Sequence, residues 1–244
     1  MPEKSADTDE IKVLASIALK SAYLELAPQF ERTSGHKLAT EWAGTDPIMK
    51  RLQAGESADL VIAPEKLIDE LIALGRIARG SRADIARSAV GVAVKKGAPR
   101  PDISSSDALK RALLAAKSIA YSSGPSGVYL AGLFRRMGIA GELRQKVTQT
   151  PPGTFVGEVV ARGEAEIGFQ QVAELLHVGS AIDFVGPLPP DIQQVTVFSG
   201  GIHAAAKAPA AARELLRFLA GPDAAAVIRK KGMEPGSALV ARDD

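Results

Sequence analysis

Residues 11–75 read IKVLASIALKSAYLELAPQFERTSGHKLATEWAGTDPIMKRLQAGESADLVIAPEKLIDELIALG, and this stretch decides the fold. Three runs in it have the composition of buried strands: IKVLAS, HKLATEWAG and ADLVIA. A helix is predicted after each run, and in the first helix apolar residues recur at helical spacing as far as Gly35: Leu19, Ala22, Tyr23, Leu26 and Phe30. Three strand–helix units in succession predict a parallel sheet with crossover helices.

The second predicted helix, TDPIMKRLQAG, carries signals at both of its ends. Asp46 is the expected N-cap, Pro47 the first helical residue and Gly55 the C-cap. The third helix, PEKLIDELIALG, also opens on a proline and closes on a glycine.

From Ser88 onward a second block repeats this alternation. The predicted strands are SAVGVAVKKG, SIAYSS, AEIGFQ and QVTVFSGGI, with helices between and after them. The helix in GPSGVYLAGLFRRMG is expected to bury an apolar face made of Val128, Leu130, Leu133, Phe134 and Met137. Because no flexible linker separates the two blocks, we expect two lobes that exchange strands through paired hinges near Ser88 and Gln194. Lobe 1 would comprise residues 1–87 and 195–244, and lobe 2 residues 88–194.

Composition excludes several classes of protein. With 46% hydrophobic and 24% charged residues in a chain of 244, the sequence is that of a folded globular protein. The net charge of +2 indicates neither nucleic-acid binding nor attraction to a membrane surface. The absence of cysteine removes disulfides, thiolate metal sites and a cysteine nucleophile. No apolar run reaches the length of a membrane span, so direct membrane insertion is not expected.

The N-terminal residues MPEKSADTDE are polar and contain no apolar signal-peptide core. We therefore expect a periplasmic protein if a signal peptide has been removed, and a cytoplasmic one if this N-terminus is native.

Four strand-to-helix junctions are rich in small and hydroxyl residues: 16–18, 43–46, 121–127 and 151–155. Ligands of open α/β sheets bind beyond the carboxyl ends of the strands, where such junctions meet helix N-termini. The third junction, YSSGPSG, is rich in serine and glycine, so its backbone N–H groups are candidates to face an anion. Serines and threonines at these positions are equally well explained as helix N-caps.

Other polar residues offer little chemistry. Lys20 opposes the dipole of the first helix, so it is either a partner for a ligand carboxylate or a surface lysine. The three histidines lack metal-ligand spacing and are interpreted as structural: His36, His177 and His203. No hydrolase elbow, phosphate-binding loop, zinc motif or dinucleotide fingerprint is present, so we predict no metal, no cofactor and no catalytic residue.

The chain resembles the molybdate-binding component of ABC transporters from Ile11 to Met233. The resemblance rests on VLASIALKSAYLELAPQFERTSG, AGESADLVIA, GPSGVYLAGLFRRMG, ARGEAEIGFQQ and GPDAAAVIRKKGM. It implies a type II periplasmic-binding-protein fold, in which each lobe is a mostly parallel sheet flanked by helices. Bacterial aconitate isomerases look like relatives of the same family.

The resemblance also implies a ligand site. The two serine donors of the molybdate binders fall at Ala18 and Thr45, a backbone amide at Ser126, and the tyrosine donor at Gln171, with a further backbone contact near Gly153. Because side-chain donors are lost at two of these positions, a small organic acid is favoured over a tetrahedral oxyanion. The predicted ligand-binding residues are Ile17, Ala18, Lys20, Thr45, Ser122, Ser123, Ser126, Gly153, Thr154 and Gln171.

Three functions are compatible with these observations. We favour a solute receptor that holds a small carboxylate or other anion between its lobes, with an ABC-transporter permease as partner. The second is an aconitate isomerase, which needs a base, and the sequence offers only Asp46 or His203 for that role. The third is a cytosolic ligand sensor.

Overall fold

The computed structural model describes residues 10–236. The strands are β1 (Glu10–Ser16), β2 (Lys37–Ala43), β3 (Leu60–Pro64), β4 (Ala83–Lys95), β5 (Ile119–Tyr121), β6 (Val147–Gln149), β7 (Ile167–Gln171), β8 (Ile182–Pro187), β9 (Val195–Ile202) and β10 (Glu234–Pro235). The helices are α1 (Lys20–Ser34), α2 (Thr45–Gln53), α3 (Glu65–Ala73), α4 (Ser106–Ala115), α5 (Pro125–Arg136), α6 (Ala140–Leu143), α7 (Val156–Ala161), α8 (Val172–His177), α9 (Pro209–Ala220) and α10 (Pro222–Lys230).

The strands form two parallel blocks joined by antiparallel strands. One block is β2-β1-β3 and the other is β7-β5-β6, and each is parallel throughout. Between them lie β9, antiparallel to β3, and β4, antiparallel to both β9 and β7. The fold is therefore α/β, as the alternation of strands and helices predicts. Its sheet is mixed rather than parallel throughout, because β4 and β9 run antiparallel to their neighbours.

Strand β4 belongs to both blocks and is the longest strand of the sheet. Its residues from Ala83 to Ala89 pair with β9, whereas Val90 and the residues after it pair with β7 and β8. The segment that leads into β9 is also bound to β4 at this point. The Gln193 side chain exchanges two hydrogen bonds with the backbone of Val90, at 2.9 and 3.0 Å. The two blocks are thus joined where β4 changes its partners.

Helices cover both faces of each block. Around β1 and β3, α1, α9 and α10 contribute one buried apolar cluster, and α2 and α3 contribute the opposite one. Around β5 and β7, the clusters come from α4, α5 and α6 on one face and from α7 and α8 on the other. This layering explains the uninterrupted apolar runs of the central strands, which are buried on both sides. No helix between residues 10 and 236 is long and apolar enough to cross a membrane.

Both predicted ends of α2 and part of the predicted buried face of α5 are wrong. Gly44, not Asp46, is the N-cap of α2, because Gly44 takes the extended cap conformation and the helix already begins at Thr45. Pro47 is therefore its third residue rather than its first, and the C-cap is Ala54 rather than Gly55. Val128 is not part of the buried face of α5 and is 68% exposed, since that face consists of Leu130, Leu133 and Phe134.

One glycine fixes the start of α5. A Cβ atom on Gly127 would lie 1.6 Å from the carbonyl oxygen of Ser122, so the first turn of the helix packs directly on the loop that precedes it. Only a residue without a side chain permits this approach, which brings the loop and the helix N-terminus together.

We predict that Gly127→Ala lowers the free energy of unfolding by about 2–3 kcal/mol, because the methyl group must displace backbone. Gly132→Ala in the same helix is the matched control: its nearest neighbour is the tip of the flexible Arg136 side chain at 3.3 Å. That variant should be neutral or more stable by up to about 1 kcal/mol. Urea denaturation measures both, and equal effects of the two substitutions would contradict the close-packing argument.

Candidate ligand-binding cleft

The four predicted junctions line a single cleft between the two blocks. Strands β1, β2, β5 and β7 all end at this cleft, because the parallel strands of each block direct their carboxyl ends towards the other block. Its lining residues are Ser16, Ile17, Ala18, Gly44, Thr45, Asp46, Pro47, Ser122, Ser123, Gly124, Pro125, Pro151, Pro152, Gly153, Thr154, Gln170, Gln171, Glu174 and Phe198. About 490 Å³ of space outside the protein atoms lies among these residues, part of it open solvent.

Two helices present their N-termini to the cleft from opposite blocks. The N-caps are Gly44 for α2 and Gly124 for α5, and neither helix end has a side-chain capping bond. The first-turn N–H groups of a helix have no partner within the helix, and together with the helix dipole they carry partial positive charge. Partial positive charge therefore faces the cleft from both blocks.

The hydroxyl groups of the cleft are partly engaged with each other. Ser122 Oγ and Ser126 Oγ are 3.0 Å apart and share a hydrogen bond. Ser16 Oγ accepts from the Ala18 N–H at 3.4 Å. Thr45 and Ser123 are partly exposed at the cleft surface, where a ligand can reach their hydroxyl groups.

Gln171, at the end of β7, links this strand to β4 and β9. Its amide is satisfied at both ends when the nitrogen donates to the Ser88 carbonyl oxygen at 3.0 Å and the oxygen accepts from Thr196 Oγ1 at 2.9 Å. Ser88 belongs to β4 and Thr196 to β9, so this buried amide bridges the strands at the point where β4 changes partners.

Glu174 is a cleft residue that the sequence did not reveal. It lies in the first turn of α8, is 6% exposed, and its Oε1 accepts a hydrogen bond from Gln170 Nε2 at 2.9 Å. The other end of the Gln170 amide accepts from the Val156 N–H at 2.7 Å, which fixes its orientation. Burial raises the pKa of Glu174 to about 8, against the opposing effect of hydrogen bonds from Gln170 and the Gln171 backbone. The carboxyl group is therefore mostly neutral at pH 7.

Eight of the ten predicted ligand-binding residues line the cleft, and Ser126 and Lys20 do not. Ser126 lies directly behind Ser122 and is buried. The Lys20 ammonium group lies over the ring of Trp42, 5.9 Å from its centroid. Whether the eight bind a ligand stays a prediction.

The two candidate bases lie in different places. Asp46 lines the cleft on α2, whereas His203 lies beyond the far end of β9, near Asp59. The pKa of His203 is lowered, first by burial and then by Arg76. His203 is thus too remote for chemistry in the cleft. Nowhere in residues 10–236 do three or more acidic or histidine side chains lie together in a way that could hold a metal ion.

Known proteins with similar sequences share this architecture. Residues 11–234 match a family described as bacterial extracellular solute-binding protein. The chain belongs to this family. The solute-binding protein is 42% identical over 231 residues to an aconitate isomerase of Pseudomonas sp, across 92% of this chain and 87% of that one. It is also 28% identical to the molybdate-binding protein ModA of Azotobacter vinelandii, across 93% and 91% of the two chains.

The solved structures agree with these matches. The Azotobacter vinelandii periplasmic molybdate-binding protein superposes on this solute-binding protein with a TM-score of 0.76 at 21% identity, covering 91% of this chain and 98% of that one. The predicted type II periplasmic-binding fold and the family resemblance are both confirmed.

The raised pKa of Glu174 predicts how the free energy of unfolding changes with pH. Between pH 4.5 and 8 the unfolded chain ionises this group while the folded protein keeps it protonated, so the folded state loses stability over that window. Glu174→Gln removes this loss and keeps the hydrogen-bonding shape. Relative to wild type, the variant should gain roughly 3–5 kcal/mol on going from pH 4.5 to 8. Denaturation at the two pH values tests this, and a pH-independent difference would contradict it.

Proposed function

We propose that this solute-binding protein holds an unsaturated tricarboxylate in its cleft and interconverts trans- and cis-aconitate. The observation that carries the proposal is the convergence of two uncapped helix N-termini, from opposite blocks, on one cleft lined by hydroxyl and amide groups. The 42% identity to an aconitate isomerase over nearly the whole chain supports the choice of ligand and reaction.

The donor set favours a carboxylate over a tetrahedral oxyanion. Two side-chain donors of the molybdate binders correspond here to Ala18, which has none, and to Gln171, whose amide is already bound to Ser88 and Thr196. Each lone pair of a buried oxyanion that lacks a hydrogen-bond donor costs free energy of binding. The loss of two donors therefore weakens such a site. Carboxylates spread over a longer molecule use separated donors, as on α2 and α5.

Hydrogen-bond donors alone would hold the anion. Among the described residues that line the cleft there is no lysine or arginine. In the free protein at pH 7 the buried Glu174 is mostly protonated, and Asp46 is the exposed carboxyl group of the lining. Helix N-termini and hydroxyl groups bind anions without a formal positive charge.

A receptor without turnover is the second candidate. The family description, the ModA relative and the joining of the blocks at β4 favour it. In this function the blocks 1–87 with 195–244 and 88–194 would close on the ligand about hinges near Ser88 and Gln194, and the loaded protein would deliver the anion to an ABC-transporter permease from the periplasm.

Incubation with trans-aconitate separates the two candidates. We expect cis-aconitate to accumulate in the proton NMR spectrum until the two isomers reach equilibrium. Binding without conversion would contradict the isomerase and leave the receptor. A thermal-shift series provides the ligand test, since a ligand at a hundredfold over its Kd adds about 2.7 kcal/mol. A larger shift with molybdate than with aconitate, citrate or succinate would contradict the carboxylate assignment.

Thr45→Val tests whether the hydroxyl group of Thr45, at the start of α2, binds the ligand. Loss of a hydroxyl donor to a charged ligand should weaken aconitate binding about tenfold, because such a hydrogen bond contributes about 1.5 kcal/mol. Thr148→Val is the matched control, since Thr148 is exposed on β6 and does not line the cleft. Calorimetric titration measures both dissociation constants. Equal affinities of the two variants would contradict the assignment of Thr45.

A further inference from the structure

Glu174 is a buried acid in a cleft built for anions. It lines the cleft with Gln170 and Gln171, and its carboxyl group is held by the Gln170 amide. The Gln170 amide is itself anchored to the N–H of Val156, the first residue of α7. The anchored Gln170 amide therefore fixes the orientation of the Glu174 carboxyl group, and Glu174 is part of the cleft lining.

Helix capping, through the hydrogen bond from the Gln171 backbone, accounts for a polar side chain at this position but not for an acid. Gln171 is the N-cap of α8, and Glu174 is the third helical residue, from which a side chain can reach back to the cap. A glutamine would fill that role equally well without burying an acid. A buried acid that lowers the stability of the fold and lies in a cleft is typical of a catalytic group.

We propose that Glu174 is the catalytic proton carrier of the cleft, taking a proton from the methylene carbon of trans-aconitate and returning it to the far alkene carbon. This inference rests on the proposed function.

The step balances without any co-reactant. The carboxylate of Glu174 removes a methylene proton, and the electron pair of that C–H bond forms the new double bond to the central carbon. The electrons of the old double bond move to the far carbon, which takes the proton back from Glu174. One C–H bond breaks and one forms, and the carboxylate is regenerated. The substrate carboxylates and the N–H donors of the cleft stabilise the charge that develops between these two events.

The other charged groups nearby do not compete for this role. Asp46 is the one other titratable side chain among the described residues lining the cleft, and it is exposed at the start of α2. None of the charged residues on the elements packed against α8 lines the cleft. They are Lys20, Glu25, Glu31 and Arg32 on α1, Asp84, Arg87 and Lys95 on β4, Glu158 on α7 and Asp183 on β8. His177 on α8 itself stacks on Phe155, with ring centroids 4.7 Å apart.

The pH dependence follows from the need for an ionised base. Since the pKa of Glu174 is about 8, the fraction of ionised carboxylate in the free protein rises about tenfold per pH unit below that value. We expect kcat/KM of the wild-type protein to rise from pH 6 and to level off above about pH 8. A profile that is flat over this range would overturn the assignment.

The decisive comparison uses three full-length variants: Glu174→Gln, Asp46→Asn and Glu158→Gln. Glu174→Gln should lower kcat for trans-aconitate about 100-fold or more while the calorimetric Kd stays within about threefold, because the amide keeps the shape but cannot accept the proton. Glu158→Gln, an exposed change on α7, should keep wild-type turnover. If Asp46→Asn abolishes turnover and Glu174→Gln does not, Asp46 is the base and the proposal is overturned.

Isotope transfer supplies a readout that a merely structural role would not change. With trans-aconitate deuterated at the methylene carbon and dissolved in H₂O, a buried carrier should return part of the deuterium to the new methylene group of cis-aconitate. Complete loss of that label to solvent would overturn transfer by one buried group. If Glu174→Gln does not fold, this label transfer and the wild-type pH profile decide the proposal.

The two proposals fail in different ways. A wild-type protein that does not convert aconitate overturns both the isomerase and its proton carrier. A wild-type protein that converts it, together with a folded Glu174→Gln variant of equal kcat, overturns the carrier alone.

Discussion

The structure depends on one constraint, the sharing of β4 between two blocks of parallel strands. The backbone of β4 is hydrogen-bonded to β9 up to Ala89 and to β7 and β8 from Val90 onward. Because each block is held to the same continuous strand, their carboxyl ends face one another across a gap. Gln171 reinforces this arrangement, since its amide spans the two strands at the crossing. The shared strand thus brings the N-termini of α2 and α5 to the same cleft from opposite blocks.

The same geometry would let the proposed anion site work without a lysine or arginine among the described residues that line the cleft. Two helices bring uncapped N-termini to the cleft, and a glycine at each cap leaves the amides accessible. The one buried acid in the lining avoids a charge because burial keeps its pKa high. Binding and proton transfer would then use one set of groups: the amides hold the carboxylates, and Glu174 exchanges a proton with the carbon skeleton between them.

Local patterns in the sequence predicted most of the fold, because the strands are continuous apolar runs and the helices have glycine or proline at their ends. The residues from Ile182 to Pro187 escaped prediction, since β8 is only partly buried and lacks an apolar run. The junctions of the cleft were predictable from their small and hydroxyl residues at strand ends. Glu174 was not, because a glutamate in a helical first turn is an ordinary residue until tertiary packing buries it. The positions of Lys20 and His203 outside the cleft lining were not predictable for a similar reason, since nothing local shows which way a side chain will face.

The central claim is that the two blocks hold one small carboxylate between the N-termini of α2 and α5. A crystal structure of the protein grown with trans-aconitate tests it most directly. The account predicts ligand density in the cleft, with carboxylate oxygens within hydrogen-bond distance of first-turn amides on both helices and a carbon atom in contact with the Glu174 carboxyl group. A ligand bound to one block only, or outside the cleft, would contradict it.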